Sequence, residues 1–186
     1  EMVRLDASAV DELKRETRKS LELTHPSIVR IHDFVQDQQS AAIAMEYVDG
    51  PTLSALRIQK PNRLFEVDEI RPWIEEVCTA LQYAHERARV VHRDLKPANL
   101  MLNGYGQLKI ADFGIARSLS DSASRLSVAS HDTSGTIAYM SPQQALGEKP
   151  RAADDIYSLG ATIYDLLTGK PPFFSGNIYA QVRDKI

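Results

Sequence analysis

Short apolar runs predict two pairs of β-strands. In the first pair, residues 27–35 alternate between apolar and polar side chains, and residues 41–47 are almost continuously apolar. The polar residues 37–40 between them are typical of a turn, so we expect this pair to form a small sheet element. The second pair, 100–102 and 108–110, flanks a glycine-containing stretch that predicts a hairpin turn.

Apolar residues repeated at intervals of three and four predict helices in most of the remaining chain. The longest, 68–87, places Ile70, Val77 and Leu81 on one face. The break at 49–51, Asp-Gly-Pro, lies between the first strand pair and the longer helices and is the best candidate for a boundary. Further helices are predicted at 8–23, 52–59, 153–167 and 177–186.

The composition is that of an ordinary globular protein. Of 186 residues, 43% are hydrophobic and 25% are charged, and the formal net charge of -3 gives no reason to expect binding to nucleic acid or an anionic membrane. No apolar run approaches the roughly 18 residues of a membrane span. Cys78 has no disulfide partner and lies in a predicted helix, where we expect it to be buried. We expect a cytoplasmic domain, alone or as part of a larger, membrane-anchored protein.

Two carboxylates and one amide in the middle of the chain suggest phosphate transfer. Asp94 stands five residues before Asn99, and Asp112 follows the second predicted strand pair. Mg²⁺ prefers oxygen ligands and is commonly held by one or two carboxylates together with substrate phosphates. Asn99 and Asp112 supply such oxygens, which leaves Asp94 to take the proton of a hydroxyl nucleophile.

Four motifs in order give the chain a family resemblance. HRDLKPAN occupies residues 92–99, DFG begins at Asp112, GTIAYMSP occupies 135–142 and DIYSLG begins at Asp155. Together they resemble the eukaryotic-type serine/threonine protein kinases, in a style similar to the bacterial members. The resemblance implies an α+β fold of two lobes, ATP and Mg²⁺ as cofactors, and protein substrates with a Ser or Thr acceptor.

The resemblance also divides the chain. Residues 1–48 would be a partial, β-rich N-lobe with the end of its third strand, helix C and two strands. Residues 49–186 would be a mainly helical C-lobe with the catalytic loop, activation segment and helix F, without the final helices. The glycine-rich phosphate loop is missing upstream of Glu16, and the lysine expected in the third strand is missing too. We therefore expect a kinase domain incomplete at both ends. These 186 residues alone are therefore expected to bind ATP weakly and to transfer phosphate poorly.

The resemblance assigns the chemistry to the first two motifs. Asp94 would accept or orient the proton of the acceptor hydroxyl, and Lys96 would stabilise charge on the transferring phosphate. Asn99 and Asp112 would bind Mg²⁺. Lys96 and Thr136 are typical of Ser/Thr-specific members, which favours Ser or Thr as the acceptor.

Other polar residues receive structural roles. His92 would pack against Phe113, and Asp155 would accept hydrogen bonds from the backbone of the HRD loop at a helix start. The neighbouring Asp154 is expected to be solvated. Gln143 replaces the glutamate of the usual Ala-Pro-Glu triplet, so the usual ion pair with an arginine cannot form in that way.

The nucleotide would be held by residues from both lobes. Glu16 on helix C would pair with the lysine of the third strand, and Met45 would be the gatekeeper. The hinge backbone of Glu46 and Val48 would hydrogen-bond the adenine ring. The ribose would lie near Thr52, and the floor beneath the base would be formed by Leu100, Met101 and Leu102.

Arg93, directly before the catalytic aspartate, favours regulation by phosphorylation. A phosphate on the Ser-rich segment 118–134 would give Arg93 a charged partner and order that segment. The candidate sites are Ser127, Ser130, Thr133 and Ser134, of which Ser130 or Thr133 is our hypothesis for autophosphorylation.

Two other interpretations stay open. A pseudokinase or scaffold module with the kinase fold would be favoured by loss of the strand lysine, whereas the intact Asp94, Asn99 and Asp112 argue against it. A small-molecule phosphotransferase shares the D-x-x-x-x-N loop but lacks the segment 135–142 that docks a peptide acceptor.

Overall fold

The computed structural model describes residues 20–36, 41–113, 136–175 and 177–184. No helix in these ranges is both long and apolar enough to cross a bilayer. Short 3₁₀ turns lie at Pro61–Arg63 and Pro97–Asn99, and a π-helical turn lies at Ala84–Ala88. In chain order the described strands and α-helices are β1 (Ile31–Gln36), β2 (Ala41–Met45), α1 (Leu53–Gln59), α2 (Val67–Tyr83), β3 (Leu100–Leu102), β4 (Leu108–Ile110), α3 (Pro142–Ala145), α4 (Ala152–Thr168) and α5 (Ile178–Arg183).

Both predicted strand pairs form antiparallel two-stranded sheets. β3 and β4 occupy the predicted residues in register. Their outer residues enter the core, whereas the central residues, Met101 and Lys109, lie opposite each other on the other face. This alternation is the period of two expected when one face of a strand packs on a core.

β1 is shorter than predicted, because residues 27–30 make different hydrogen bonds. This segment runs beside β4: the Val29 amide donates to the Ile110 carbonyl at 2.9 Å, and the Ile110 amide donates to the Ser27 carbonyl at 2.8 Å. Pairing with β2 begins at Ile31. The predicted start of this strand is therefore wrong, and the turn predicted between β1 and β2 lies outside the described residues.

One hydrophobic core joins α1, α2, α4 and the β3–β4 hairpin. Leu53 of α1 and Leu166 of α4 are fully buried in it. Leu23 and Ile28, from the segment before β1, belong to the same core, whereas Ile31 belongs to a smaller cluster on the β1–β2 hairpin. Burial of apolar surface therefore attaches the segment before β1 to the helical part of the molecule.

α2 forms close to its predicted position but orients Cys78 differently from our expectation. Val77 and Leu81 are buried in the core, as the periodicity predicts. Cys78 is exposed, so the prediction of a buried cysteine is wrong. Successive side chains on a helix are about 100° apart, and Cys78 therefore faces solvent when its neighbour Val77 faces the core.

α4 matches its prediction to within one residue at each end, but Asp154 is not solvated. Asp154 is only 3% exposed. Its Oδ1 accepts a hydrogen bond from the Ser141 hydroxyl at 2.6 Å, and its Oδ2 accepts one from the Arg151 amide at 2.8 Å. The prediction is wrong because Ser141, the residue before α3, lies against this end of α4 and bonds to the carboxylate.

The segment 136–142 is anchored on α4 by Tyr139. The Tyr139 hydroxyl donates to Asp165 Oδ2 at 2.6 Å, and the Ser158 hydroxyl donates to the Tyr139 carbonyl at 2.8 Å. Asp165 is fully buried and also forms an ion pair with Arg57 of α1. Burial, followed by the hydrogen bond to Asp165 and its charge, raises the pKa of Tyr139 well above its ordinary range.

A short loop before β1 packs on the end of α2. The His25 ring lies 5.3 Å from the Tyr83 ring, and the Thr24 amide donates to the Tyr83 hydroxyl oxygen at 3.1 Å. The Ser27 amide donates to His25 Nδ1 at 3.1 Å, so the fold uses the unprotonated nitrogen. Burial lowers the pKa of His25.

We expect His25 to make stability fall at acid pH. Because folding lowers its pKa, the unfolded chain binds the proton more readily. The contribution is complete above the ordinary value of 6.5 and is lost as the pH falls through the folded value. Urea unfolding from about pH 8 to about pH 5 should show a shallower pH dependence in His25→Gln than in wild type. His32→Gln, at an exposed position of β1, is the control; identical profiles for wild type and His25→Gln would contradict this prediction.

Candidate active site

The loop that carries HRDLKPAN is held in place by Asp155. This fully buried carboxylate at the start of α4 accepts hydrogen bonds from the backbone nitrogens of His92 and Arg93, each at 2.8 Å. His85 Nε2 lies 2.7 Å from Asp155 Oδ2. Arg93 has a φ of 71°, which is uncommon for a residue other than glycine, so these hydrogen bonds stabilise a turn that the backbone disfavours. The predicted role of Asp155 is confirmed.

His92 connects the two acidic motifs. It is 1% exposed, and its ring meets the Phe113 ring edge-on at 4.6 Å, as predicted. Its Nε2 donates to the Ala111 carbonyl at 2.9 Å, and its Nδ1 accepts from the Asp94 amide at 3.2 Å. These partners require a neutral ring with the proton on Nε2. One buried side chain therefore fixes the backbone of the residue before Asp112 and that of Asp94.

Asp94, Lys96 and Asn99 form a polar cluster. The Asn99 amide donates to the Asp94 carbonyl at 2.7 Å and to Asp94 Oδ2 at 3.1 Å. The Lys96 ammonium lies 3.0 Å from the same Oδ2 and donates to the Thr136 hydroxyl at 2.9 Å. Among the described residues, both side-chain contacts of the Asp94 carboxylate are thus at Oδ2. Oδ1 remains to accept a hydroxyl proton.

Asn99 and Asp112 fit a site for Mg²⁺. The Asn99 nitrogen is committed to Asp94, so its Oδ1 is the atom left for a cation. Ala111 donates from its amide to the Asn99 carbonyl at 2.9 Å, which places the DFG turn beside the catalytic loop. Asp112 has a φ of 60°, a conformation that aspartate tolerates better than most residues. One amide oxygen and one carboxylate suit a hard cation that is also held by phosphates. No cluster of three or more acidic, His or Cys ligands occurs in the described ranges.

The predicted hinge follows β2. Met45 is the last residue of β2 and is 42% exposed, and Val48 is buried. The Glu46 amide donates to the Arg30 carbonyl at 2.7 Å, which leaves the Glu46 carbonyl for a base. The Glu46 side chain pairs with Lys109 at 2.5 Å. Although burial raises the pKa of Glu46, hydrogen bonds from Lys109 and the Arg30 amide and the charge of Lys109 outweigh burial and lower it.

Thr52 and Met101 meet where the hinge segment crosses β3. They form an isolated antiparallel bridge, and the Thr52 hydroxyl oxygen caps α1 by accepting from the Ala55 amide at 3.1 Å. Leu100 and Leu102 are buried in the core, whereas Met101 is only half-buried. Of the three predicted floor residues, only Met101 therefore lies on the face away from the core.

Gly50 is required by a close approach between two backbones. A Cβ at Gly50 would lie 1.8 Å from the Leu102 carbonyl oxygen. The segment 50–51 and β3 cannot separate freely, because the Leu102 amide donates to the Pro51 carbonyl at 3.0 Å. We expect Gly50→Ala to lower the free energy of unfolding by about 2 kcal/mol and to weaken ATP binding by moving Thr52 away from Met101.

Urea unfolding and ATP titration of Gly50→Ala measure these two effects. Gly160→Ala is the matched control, because a Cβ at Gly160 has nothing within 4 Å. Wild-type stability and ATP affinity in Gly50→Ala would contradict the prediction.

Three side chains contact the site without a signal in the sequence. The Ser20 hydroxyl donates to the Phe113 carbonyl at 2.8 Å, and the Gln144 amide donates to the Arg93 carbonyl at 2.6 Å. The third, Lys109, forms the ion pair with the hinge. Each looks like an ordinary polar residue in the sequence, since its partner is distant along the chain.

Some predicted residues lie outside the described ranges, and their roles stay predictions. Glu16 is one of them. The others are the candidate phosphorylation sites Ser127, Ser130, Thr133 and Ser134.

Comparisons with known proteins show which family the chain belongs to. A family model described as "Protein kinase domain" matches residues 3–186. Serine/threonine-protein kinase PknB of Mycobacterium leprae is 38% identical over 188 residues, which cover 96% of this chain and 29% of the relative. The probable serine/threonine-protein kinase SCO3848 of Streptomyces coelicolor is 39% identical, covering 97% of this chain and 27% of the relative. PknB of Mycobacterium tuberculosis is 38% identical, covering 90% and 27%.

The chain spans less than a third of the length of these curated relatives. The match nevertheless includes the loops built around Asp94 and Asp112, and the observed small antiparallel sheets with a mainly helical remainder bear out the expected α+β kinase fold. This chain therefore belongs to the protein kinase domain family, and its relatives within it are serine/threonine protein kinases.

Proposed function

We propose that the protein transfers the γ-phosphate of ATP to Ser and Thr hydroxyls of protein substrates. The observation that carries the proposal is the convergence of Asn99 and Lys96 on one oxygen of Asp94, at 3.1 and 3.0 Å. These contacts fix the orientation of the carboxylate and leave its other oxygen, Oδ1, to accept a proton. The names of the relatives, serine/threonine-protein kinases, support the same acceptor class.

In the transfer step, the acceptor oxygen bonds to the γ-phosphorus while the bond to the leaving oxygen of ADP breaks. Asp94 Oδ1 takes the hydroxyl proton, and Asn99 holds the carboxylate in position. The Lys96 ammonium stabilises negative charge on the phosphate oxygens. Because Lys96 also donates to Thr136, it links this charge to the segment that would dock the acceptor.

Asn99 Oδ1 and the Asp112 carboxylate would hold Mg²⁺, which supplies positive charge to the phosphates when it is bound. His92 belongs to the catalytic loop that carries Asn99. Because it packs on Phe113 and donates to the Ala111 carbonyl, it holds this loop against the loop that carries Asp112. Little reorganisation is then needed when the nucleotide enters.

The base would bind at the hinge. The Glu46 carbonyl and the Val48 backbone are the proposed adenine partners, with Met45 as gatekeeper, and Glu16 is proposed to pair with a strand lysine. The partly exposed Met101 supports its role as the floor. Its bridge to Thr52 supports a ribose position beside it.

We further propose regulation by autophosphorylation at Ser130 or Thr133. Arg93 would pair with the phosphate, and its backbone is already fixed by Asp155 and Gln144. Phosphopeptide mapping of the active full-length protein tests this proposal, and label found only at other residues would refute it. We propose a cytoplasmic location, in a domain that divides near residue 49 into an N-lobe and a C-lobe.

Phosphotransfer by the full-length protein tests the function. With ATP labelled on the γ-phosphate, Mg²⁺ and dephosphorylated casein as acceptor, we expect phosphoserine and phosphothreonine, and strong loss of both in Asp112→Ala. Asp68→Asn, with a 92% exposed side chain, is the matched control. Nucleotide binding without transfer would favour the pseudokinase or scaffold interpretation instead.

A further inference from the structure

The Glu46 side chain makes more contacts than an ordinary hinge residue needs. One carboxylate oxygen, Oε1, pairs with the Lys109 ammonium at 2.5 Å, and the other, Oε2, accepts from the Arg30 amide at 3.1 Å. The Glu46 amide returns a hydrogen bond to the Arg30 carbonyl at 2.7 Å. The hinge is thus tied to Arg30 twice and to β4 once.

Lys109 is the central residue of β4, the strand that leads to Asp112. It lies directly opposite Met101 in the strand pair and three residues before Asp112. Its neighbours Leu108 and Ile110 are fully buried, so the strand beneath it is rigidly packed. The Lys109 side chain is only 14% exposed, unlike a lysine in a solvated surface pair.

The segment 27–30 completes a closed link between the hinge and β4. Its Ser27 and Val29 exchange backbone hydrogen bonds with Ile110, and Arg30 bonds to Glu46. Two routes therefore run from the hinge to the same strand. One is the backbone of 27–30, and the other is the Glu46–Lys109 ion pair.

We propose that the Glu46–Lys109 ion pair is a positioning contact that fixes the hinge relative to the strand leading to Asp112, and so tunes nucleotide affinity. This inference rests on the proposed function, in which Glu46 meets the adenine end and Asp112 the phosphate end of one ATP. A rigid nucleotide site preserves affinity because the protein does not have to be ordered when ATP binds. Lys109 is thereby a positioning residue rather than a catalytic one.

A double-mutant cycle in the full-length protein tests the pair. Glu46→Gln removes the charge but keeps an oxygen acceptor for the Arg30 amide, and Lys109→Met removes the ammonium while keeping the stem. We expect each single change to raise KM for ATP roughly fivefold, and the double variant to be no worse than either single one. We expect Lys109→Met to leave kcat and KM for the acceptor protein at wild-type values, because it contacts neither the nucleotide nor the Asp94 cluster.

The same cycle on the exposed Asp68–Arg71 pair is the control. Its side chains are 92% and 63% exposed, so Asp68→Asn and Arg71→Met should leave KM for ATP unchanged. Additive effects at Glu46 and Lys109, or no change in KM for ATP, would overturn the positioning role. ATP titration by calorimetry repeats the cycle without requiring transfer. If the two substitutions have additive effects on the ATP affinity measured by calorimetry, the positioning role of the pair is refuted. If their effects are coupled but the full-length protein transfers no phosphate, only the proposed function is refuted.

Discussion

Asp94→Asn is expected to lower kcat about 10³-fold while leaving the affinity for ATP with Mg²⁺ nearly unchanged. The asparagine can occupy the same space, and its side-chain oxygen can keep the contact to the Lys96 ammonium. It cannot take the hydroxyl proton. The backbone carbonyl of residue 94, which Asn99 also uses, is unaffected. Steady-state phosphorylation of an acceptor protein and calorimetric ATP titration separate the two effects.

The control for this prediction is again Asp68→Asn, which removes a carboxylate at a solvated position of α2. It should match wild type in kcat and in ATP affinity. A parallel loss of kcat and ATP affinity in Asp94→Asn would mean that Asp94 organises the nucleotide site rather than the proton transfer.

Asp155→Asn is expected to lower the free energy of unfolding by about 3 kcal/mol. The fully buried Asp155 carboxylate accepts from two backbone amides and contacts His85. An asparagine has one acceptor oxygen, so at least one of these buried donors loses its partner. Since the disfavoured φ of Arg93 depends on the same contacts, the catalytic loop should shift and kcat should fall roughly 10²-fold.

Urea unfolding of the domain and kcat of the full-length protein measure these two effects. The structural effect should be local: Asp112 and the hinge do not touch Asp155. KM for ATP should therefore change less than kcat. Stability equal to wild type in Asp155→Asn would show that the loop is held by other contacts.

Local patterns predicted the elements whose burial follows their own periodicity. β3 and β4 were predicted to the residue because one face of each is buried and the intervening turn has a hairpin composition. α4 was predicted to within one residue, since its apolar stripe is continuous and Gly169, with a φ of 80°, ends it.

The errors arose where distant residues decide the environment. Asp154 is buried because Ser141 of a separate segment covers it, and the segment 27–30 leaves β2 because β4 offers other partners. Cys78 is exposed because only one side of α2 faces the core. None of these neighbours can be identified from spacing along the chain.

The candidate site divides in the same way. The motifs identify Asp94, Asn99 and Asp112 by residue type and order, but they do not show how the three are held. His92 and Asp155 provide that support, and both were predicted through the family resemblance. Lys109 was not, because alternation on β4 gives a lysine on the outer face an ordinary solvated role.

The most direct test of the assignment is a Mg²⁺ titration of phosphotransfer by full-length wild type, Asp94→Asn and Asp112→Asn at saturating ATP. We expect Asp112→Asn to need about tenfold more Mg²⁺ for half-maximal activity, because it loses a charged ligand. Asp94→Asn should keep the wild-type Mg²⁺ requirement and lose only kcat. Phosphotransfer by Asp94→Asn at the wild-type rate, or an unchanged Mg²⁺ requirement in Asp112→Asn, would contradict the roles proposed for these two carboxylates.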